Sequence, residues 1–276
     1  MKRIAQDKSR FIATIFLVLG SVIMVFPLIW MISTAFKIPS QIISYPPNII
    51  PKPPTLQHFD RILKVPYFGR SFLNSAYIAS LVATVSVFTS TLVGYVFAKF
   101  RFFGRNVIFI MILSTMMIPF PVTMIPLFLV ISTLGFGNSH AALIVPSLYT
   151  TFGIFLMRQF MSTVPNELRE AAIIEGCNEF RAFRSIILPQ CIPAISALLI
   201  FQFMWHWESF VWPLIVIQST AKFTLPVFLA TFSNEWWTDY GMVMAGATIT
   251  VFPILIVFFF FQKQIIQGMA LTGLKM

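Results

Sequence analysis

The sequence predicts an all-α, polytopic membrane protein with six transmembrane helices and a helix-turn-helix loop on its cytoplasmic side. Three observations carry that expectation. Of 276 residues, 58% are hydrophobic and 10% charged, with 32 phenylalanines and a mean hydropathy of +0.85, whereas soluble domains carry about 25% charged residues. Apolar runs long enough to cross a bilayer, which takes about 20 residues at roughly 1.5 Å each, recur six times. Between the fourth and fifth runs lies one oddly polar stretch, VPNELREAAIIEGCNEFRAFRSIILPQCIP, residues 164–193.

The first run, 11–36, follows a basic tail (1–10) containing Lys2, Arg3, Lys8 and Arg10. It is too long for the apolar part of a signal peptide, about 7 to 15 residues, and Phe26 to Trp30 offers no small-residue cleavage site, so it is expected to stay as a span. Residues 37–71 form a connector whose YPPNIIPKPP segment favours extended backbone, because proline fixes φ and removes a donor. The remaining runs, 76–98, 107–131, 141–161, 192–217 and 242–262, lie in a core of 72–262, and 263–276 form a tail.

Orientation follows from the basic residues. With the N-terminus inside, thirteen of the nineteen Lys and Arg residues fall on the cytoplasmic side, and five of the other six sit in the long connector, where the positive-inside rule is weaker. Both termini are therefore assigned to the cytoplasm. The net charge of +10 is read as this topology signal rather than as a nucleic-acid footprint, since no basic stripe with interleaved aromatics occurs. Cys177 and Cys191 have no metal-ligand partners or C-x-x-C spacing, so no metal is expected.

The same count places the polar stretch, about 163–190, in the cytoplasm. Pro165, Glu167 and Glu170 suit a helix start, Gly176 a helix stop and Asn178 a second cap. In that second helix Phe180, Phe183 and Ile187 recur at i, i+3 and i+7, Arg181 and Arg184 point elsewhere, and Leu188-Pro189 ends it at the membrane. Small Ala171 and Ala172 would let another surface approach. On these residues alone a docking surface and a plain interfacial loop remain equally open.

A resemblance separates the two. Glu170-Ala171-Ala172, three residues, Gly176, nine residues, Ile186, one residue and Leu188-Pro189 match the cytoplasmic EAA loop of bacterial ATP-binding-cassette (ABC) importer permeases. STAFK (33–37), PPTLQHF (53–59), FLNSAYIAS (72–80), AKFRFFGRN (98–106), LGFGNSHAALIVP (134–146) and ALTGLKM (270–276) further resemble the maltose-type carbohydrate branch, so the likeness covers nearly the whole chain. Glu175 and Cys177 depart from the usual Asp and Ala, and WHWESFVWPL (205–214) replaces the commoner Trp-Asn pattern; these departures bear on substrate rather than on membership.

The resemblance implies a type I ABC importer fold and half of a translocation pathway for a sugar or oligosaccharide. It implies a second homologous permease subunit, two ATPase subunits that hold ATP and Mg, an extracellular or periplasmic solute-binding protein, and a place in the bacterial inner membrane. The implied ATPase-docking residues are Glu170, Ala171, Ala172, Gly176, Phe183, Ile186, Leu188 and Pro189. No cofactor is expected in this chain, which lacks any G-x-x-x-x-G-K-[ST] phosphate loop and any Gly-Lys pair, so it is not expected to be an enzyme.

Prolines at 119, 121, 126, 146, 213 and 253 interrupt the later spans; such breaks are tolerated where protein or a water-filled cavity satisfies the freed groups. In the fifth run, Trp205, His206 and Glu208 are candidates for the pathway, since an intramembrane charge is expensive; an outer interfacial belt is the competing reading. Trp236, Trp237 and Tyr240 could contact the binding protein or a sugar ring, or serve as interfacial anchors.

Two other classes fit less well. A self-sufficient secondary transporter would have internal repeats and midplane ionisable groups for ion coupling, against one candidate acid here. A membrane enzyme would need a nucleophile with a base or a metal cluster, and His58, His140 and His206 have no acidic partners at ligand spacing. The charge count makes a direct test available: a reporter fused after Gln262 should behave as cytoplasmic and one placed within Pro46–Pro54 as external, and the opposite pattern would invert the assignment.

Overall fold

The computed structural model describes residues 2–233 and 238–273, with the side chains of 10–11, 13–233 and 238–262. Among the described residues, four helical stretches are long and apolar enough to cross a membrane. They are Ala13–Ala35 within α1 (Lys2–Ala35), the whole of α4 (Phe68–Lys99), Ala141–Thr163, and Tyr240–Gln262 within α15 (Tyr240–Gly273). The third of these joins α7 (Ala141–Ile144) to α8 (Thr151–Thr163) through a 3-10 turn. Two more are bent pairs: Arg105–Met117, made of α5 (Arg105–Ser114) and a 3-10 turn, meets α6 (Phe120–Thr133) at 101°, and Glu179–Gln190 meets α12 (Ile192–Trp207) at 78°. Counting each bent pair as one span gives six.

Two expected spans need correction. The run 107–131 is not one straight helix: Pro119 and Pro121 cannot donate and would crowd the carbonyls of Thr115 and Met117, so the α ladder stops and restarts at Phe120. The run 192–217 ends sixteen residues in, at Trp207, and α13 (Val211–Val216) is a separate short helix; Pro213 blocks the ladder at Ser209. The second span begins at Phe68, eight residues before the apolar run at 76.

The described chain divides into two compact units. The first, 1–68 with 229–253, contains α1, α2 (Pro39–Ile42), α3 (Gln57–Lys64) and the opening of α15. His58 on α3 shares a hydrogen bond with the Lys37 carbonyl at 2.9 Å and presses its ring on Gly241, where a Cβ would come within 2.1 Å. The buried Lys37 places Nζ 4.0 Å from the centre of the Trp30 ring, and burial holds its pKa below the ordinary lysine value. Arg61 pairs with Asp239 at 2.8 Å, and Asp239 Oδ1 accepts the Met242 N–H at 3.1 Å, capping α15.

The second unit, 69–228 with 254–276, is built on α4. Half of the most apolar window of α4 is buried, against none of the window in α1. Small residues make that burial possible. A Cβ on Gly94 would lie 2.6 Å from the Met157 Cβ, and Ser86 and Ser90 are fully buried, so α4 and α8 touch almost backbone to backbone. Thr89 Oγ1 donates to the Leu148 carbonyl at 2.8 Å, satisfying an acceptor freed where the helix breaks between α7 and α8. Around this seam Val87, Met157, Met161, Ile187, Cys191 and Leu198 form the core.

At the opposite end of the unit, side-chain amides lock the loops. Asn138 Oδ1 accepts the Gln218 and Ser219 N–H groups, both at 3.0 Å, and the Asn138 carbonyl accepts Lys222 Nζ at 2.7 Å. Asn74 Nδ2 donates to the Ala221 and Phe223 carbonyls, and Ser75 Oγ accepts the Leu225 N–H at the start of α14 (Leu225–Ala230). Two of the stretches singled out in the sequence, 72–80 and 134–146, thus meet the same loop.

The contact at Gly94 leads to a first structural test. Gly94→Val should lower unfolding stability by about 3 kcal/mol, the upper part of the usual overpacking range. An unchanged melting temperature in detergent would show that α4 and α8 are further apart than described.

Candidate coupling loop and pathway residues

The polar loop is fastened to the end of α4. Lys99, the last residue of that helix and 8% exposed, donates to the Val164 carbonyl at 2.5 Å and to Asn166 Oδ1 at 3.0 Å. Asn166 opens α9 (Asn166–Ile174), with Pro165 at its N-cap. The helix stops at Gly176, φ +88°, in a Schellman closure: the Gly176 N–H donates to Ile173 and the Cys177 N–H to Ala172, at 3.0 and 2.9 Å. A side chain at Gly176 would meet nothing of this chain within 4 Å, so glycine is needed for the left-handed backbone rather than for internal space. Asn178 Oδ1 accepts the Arg181 N–H at 2.8 Å and caps α10 (Glu179–Ala182).

A charged clamp joins the two helices to α4. Arg169 Nε donates to Glu179 Oε2 at 3.0 Å while Nη2 binds the other carboxylate oxygen, and the Tyr95 hydroxyl donates to Oε2 at 3.2 Å. The hydrogen bond to Glu179 raises the Arg169 pKa above the ordinary arginine value. The same guanidinium sits 4.9 Å from the Phe100 ring centre, and the Tyr95 ring packs 4.7 Å from that of Phe183.

Past α10 the chain widens. A π turn covers Phe183–Ile187, closed by the Leu188 N–H donating five residues back to Phe183. Pro189 has no N–H and would crowd the Ser185 carbonyl, so ordinary α geometry cannot continue. Gln190 Nε2 donates to the Ile186 carbonyl at 2.9 Å, in place of a backbone donor. The short helix α11 (Leu188–Gln190) then leads through Cys191 into α12. The second helix thus ends at Gln190, one residue past Leu188-Pro189 and in keeping with the sequence, and the chain bends by 78° into α12.

Ala172, Phe183 and Ile187 are buried, Ile186 and Leu188 half-buried, and Glu170, Ala171, Gly176 and Pro189 exposed. Phe180 does not share the inward face of Phe183 and Ile187; it is 66% exposed, because the widened turn from Phe183 takes later residues out of phase with α10. Ile174 is 86% exposed. The loop thus turns a polar and apolar outer face away from its own chain. Sequence reasoning missed Tyr95, Lys99, Arg169 and Glu179 as its anchors. The available signal was the i, i+4 spacing of Tyr95 and Lys99 at the end of a span.

The pathway candidates sit where α12 ends. Trp205 is 75% exposed, His206 half-buried, and exposed Glu208 closes the helix through an N–H bond to the Met204 carbonyl at 3.0 Å. Trp207, between them, is buried edge-on to Phe72, and Trp212 is buried with Nε1 donating to the Ala142 carbonyl at 3.0 Å. Hence the tryptophans divide: Trp207 and Trp212 support the fold while Trp205 is open. Trp236 and Trp237 lie outside the described residues. Tyr240 is the first residue of α15, 44% exposed beside Asp239.

The clamp predicts local rather than global loosening when cut. Arg169→Gln should speed amide exchange across 166–182 about fivefold, the worth of a part-exposed ion pair, while exchange within α4 is unchanged. Equal protection of the loop in both proteins would remove the clamp from the account.

Residues 90–271 match the family model described as the binding-protein-dependent transport system inner membrane component. The chain is 34% identical over 278 residues to the arabinooligosaccharides transport system permease protein AraQ of Halalkalibacterium halodurans, covering 100% of both chains. It is 34% identical to the lactose transport system permease protein LacG of Rhizobium radiobacter over 91% of each. The fold matches a chain of a bacterial ABC transporter involved in alginate import with a TM-score of 0.84 at 20% identity, over 94% of this chain and 97% of that one. An EAA-spaced loop fastened to a buried second span, a set of up to six spans and these likenesses agree: the chain belongs to the binding-protein-dependent transport system inner membrane component family.

Proposed function

We propose that this chain forms half of the translocation pathway of an ABC importer for a sugar or oligosaccharide, and that it receives mechanical work from a separate ATPase through the 163–190 loop. The observation that carries this reading is the two-sided construction of the loop. Its inner face is tied to α4 by Lys99, Tyr95 and the Arg169–Glu179 pair, while Glu170, Ala171, Ile174 and Phe180 are exposed. A merely solvated loop has no use for exposed Ile and Phe beside such an anchor.

In the proposed assembly two ATPase subunits hold ATP and Mg and seat on that face, a second homologous permease subunit completes the pathway, and an extracellular or periplasmic binding protein delivers substrate. The loop and both termini lie in the cytoplasm, in keeping with the distribution of basic residues. The family's binding-protein dependence and the oligosaccharide and disaccharide names of the relatives support the partner and the substrate class. Trp205, His206 and Glu208 are proposed to border the pathway where α12 stops, since a chain break at membrane depth is tolerated beside water or protein. A secondary transporter would leave the anchored loop without a purpose.

The test separates the turn from the partner. Gly176→Asn keeps a left-handed residue and should retain most transport, whereas Gly176→Arg should abolish it, because the added bulk points where only another subunit could be met. Glu170→Lys reverses a charge on the same face and should release the ATPase from the purified complex. Normal transport and ATPase recovery by a well-expressed Glu170→Lys, Gly176→Arg protein would reduce the segment to a connecting loop.

A further inference from the structure

The turn between α4 and α5 holds a charge excess that no ion pair among the described residues answers. Gly104 takes a left-handed backbone, φ +76°, and the turn forms a shallow open groove lined by Arg101, Phe102, Gly104, Arg105, Asn106 and Val107. Among the described residues Arg101 and Arg105 enter no ion pair. Arg105 donates only to neutral oxygens, the Phe100 carbonyl at 3.1 Å and Asn106 Oδ1 at 3.4 Å. Arg158 on α8 adds a third guanidinium: it stacks 3.8 Å over the Phe109 ring and has Nε buried without an acceptor among the described residues. Lys99, in contrast, is already satisfied by Val164 and Asn166.

The surface next to these cations is apolar and open. The Phe103 ring is fully exposed, and Val107, Ile110 and Met111, at i, i+3 and i+4 on α5, remain 61%, 64% and 56% exposed. A cationic groove that continues into an apolar stripe along a span has the shape and polarity of an amphiphile with an anionic head. A free anion would use the arginines and leave the stripe bare. We propose that this groove binds the headgroup phosphate of an anionic phospholipid, with Arg101 and Arg105 on the phosphate and the acyl chains along Val107, Ile110 and Met111. The site lies at the end of the unit that carries the anchored loop, because Lys99, two residues before Arg101, holds Val164. An anionic lipid there would neutralise the arginines beside the foot of α4, and the inference stands independently of which substrate the importer carries.

The full chain, purified in neutral detergent and offered phosphatidylglycerol and phosphatidylcholine in equal amounts, tests this by native mass spectrometry of the retained lipids. Two basic groups near the headgroup layer should favour phosphatidylglycerol about thirtyfold. Arg101→Gln with Arg105→Gln should bring the two lipids close to equal retention, Arg101→Lys with Arg105→Lys should keep most of the preference, and millimolar inorganic phosphate should not displace the lipid. Equal retention by the wild-type chain, or an undiminished preference in the glutamine variant, overturns the proposal. Displacement by inorganic phosphate also overturns it, by assigning the groove to a free anion.

Discussion

A chain that crosses a bilayer must satisfy its own backbone polar groups, because hydrocarbon offers none, and the layout of this protein follows from how that requirement is met wherever a helix breaks. Prolines open the ladder near 119, 146, 189 and 213. Side chains then take over: Gln190 covers Ile186, Trp212 covers Ala142, Thr89 covers Leu148 and Asn74 covers the carbonyls of 221 and 223. All but the first of these bonds also join two segments distant in sequence. The interruptions are therefore where the tertiary structure is knitted together, rather than gaps in it.

The 163–190 loop shows the same economy at its own helix ends. Its two short helices are marginal alone, since isolated helices of this length do not hold in water. Local chemistry decides where they begin and end; the clamp to α4 decides where they are. Because Lys99 and Tyr95 belong to a helix whose Gly94 lies directly on α8, the loop is continuous with the most closely packed seam of its unit. A push on the exposed face reaches that seam through hydrogen bonds and ring contacts, with no flexible tether between.

Features set by neighbouring residues could be read from the sequence. Six apolar runs, the stop at Gly176 and the cap at Asn178 all depend on residues within a few positions of one another. Features set by distant pairings could not. Tyr95 and Glu179 stand 84 positions apart, and nothing near either announces the other. Hydropathy treats 107–131 as one run, although the prolines inside it fix a sharp bend whose angle depends on what packs against both arms. Periodicity puts Phe180 on one face with Phe183 and Ile187 because it assumes a constant turn, and the π turn at Phe183 changes it. Glu208 stood out as an intramembrane charge; the structure makes it a helix end, which an apolar run extended to 217 had concealed.

Asn138 carries a consequence of another kind. One residue, held at φ +50°, collects the amides of Gln218 and Ser219 on its side chain and the Lys222 ammonium on its carbonyl, while its own N–H reaches Val216. Four bonds from a single position leave the 134–140 and 217–222 segments almost no independent freedom, so they form one plate rather than two loops. A visitor landing on either edge would tilt the whole plate, and through Asn74 and Ser75 that tilt would register at the head of the same long helix whose foot grips the 163–190 loop. Both ends of this unit thus hang on a common shaft, α4.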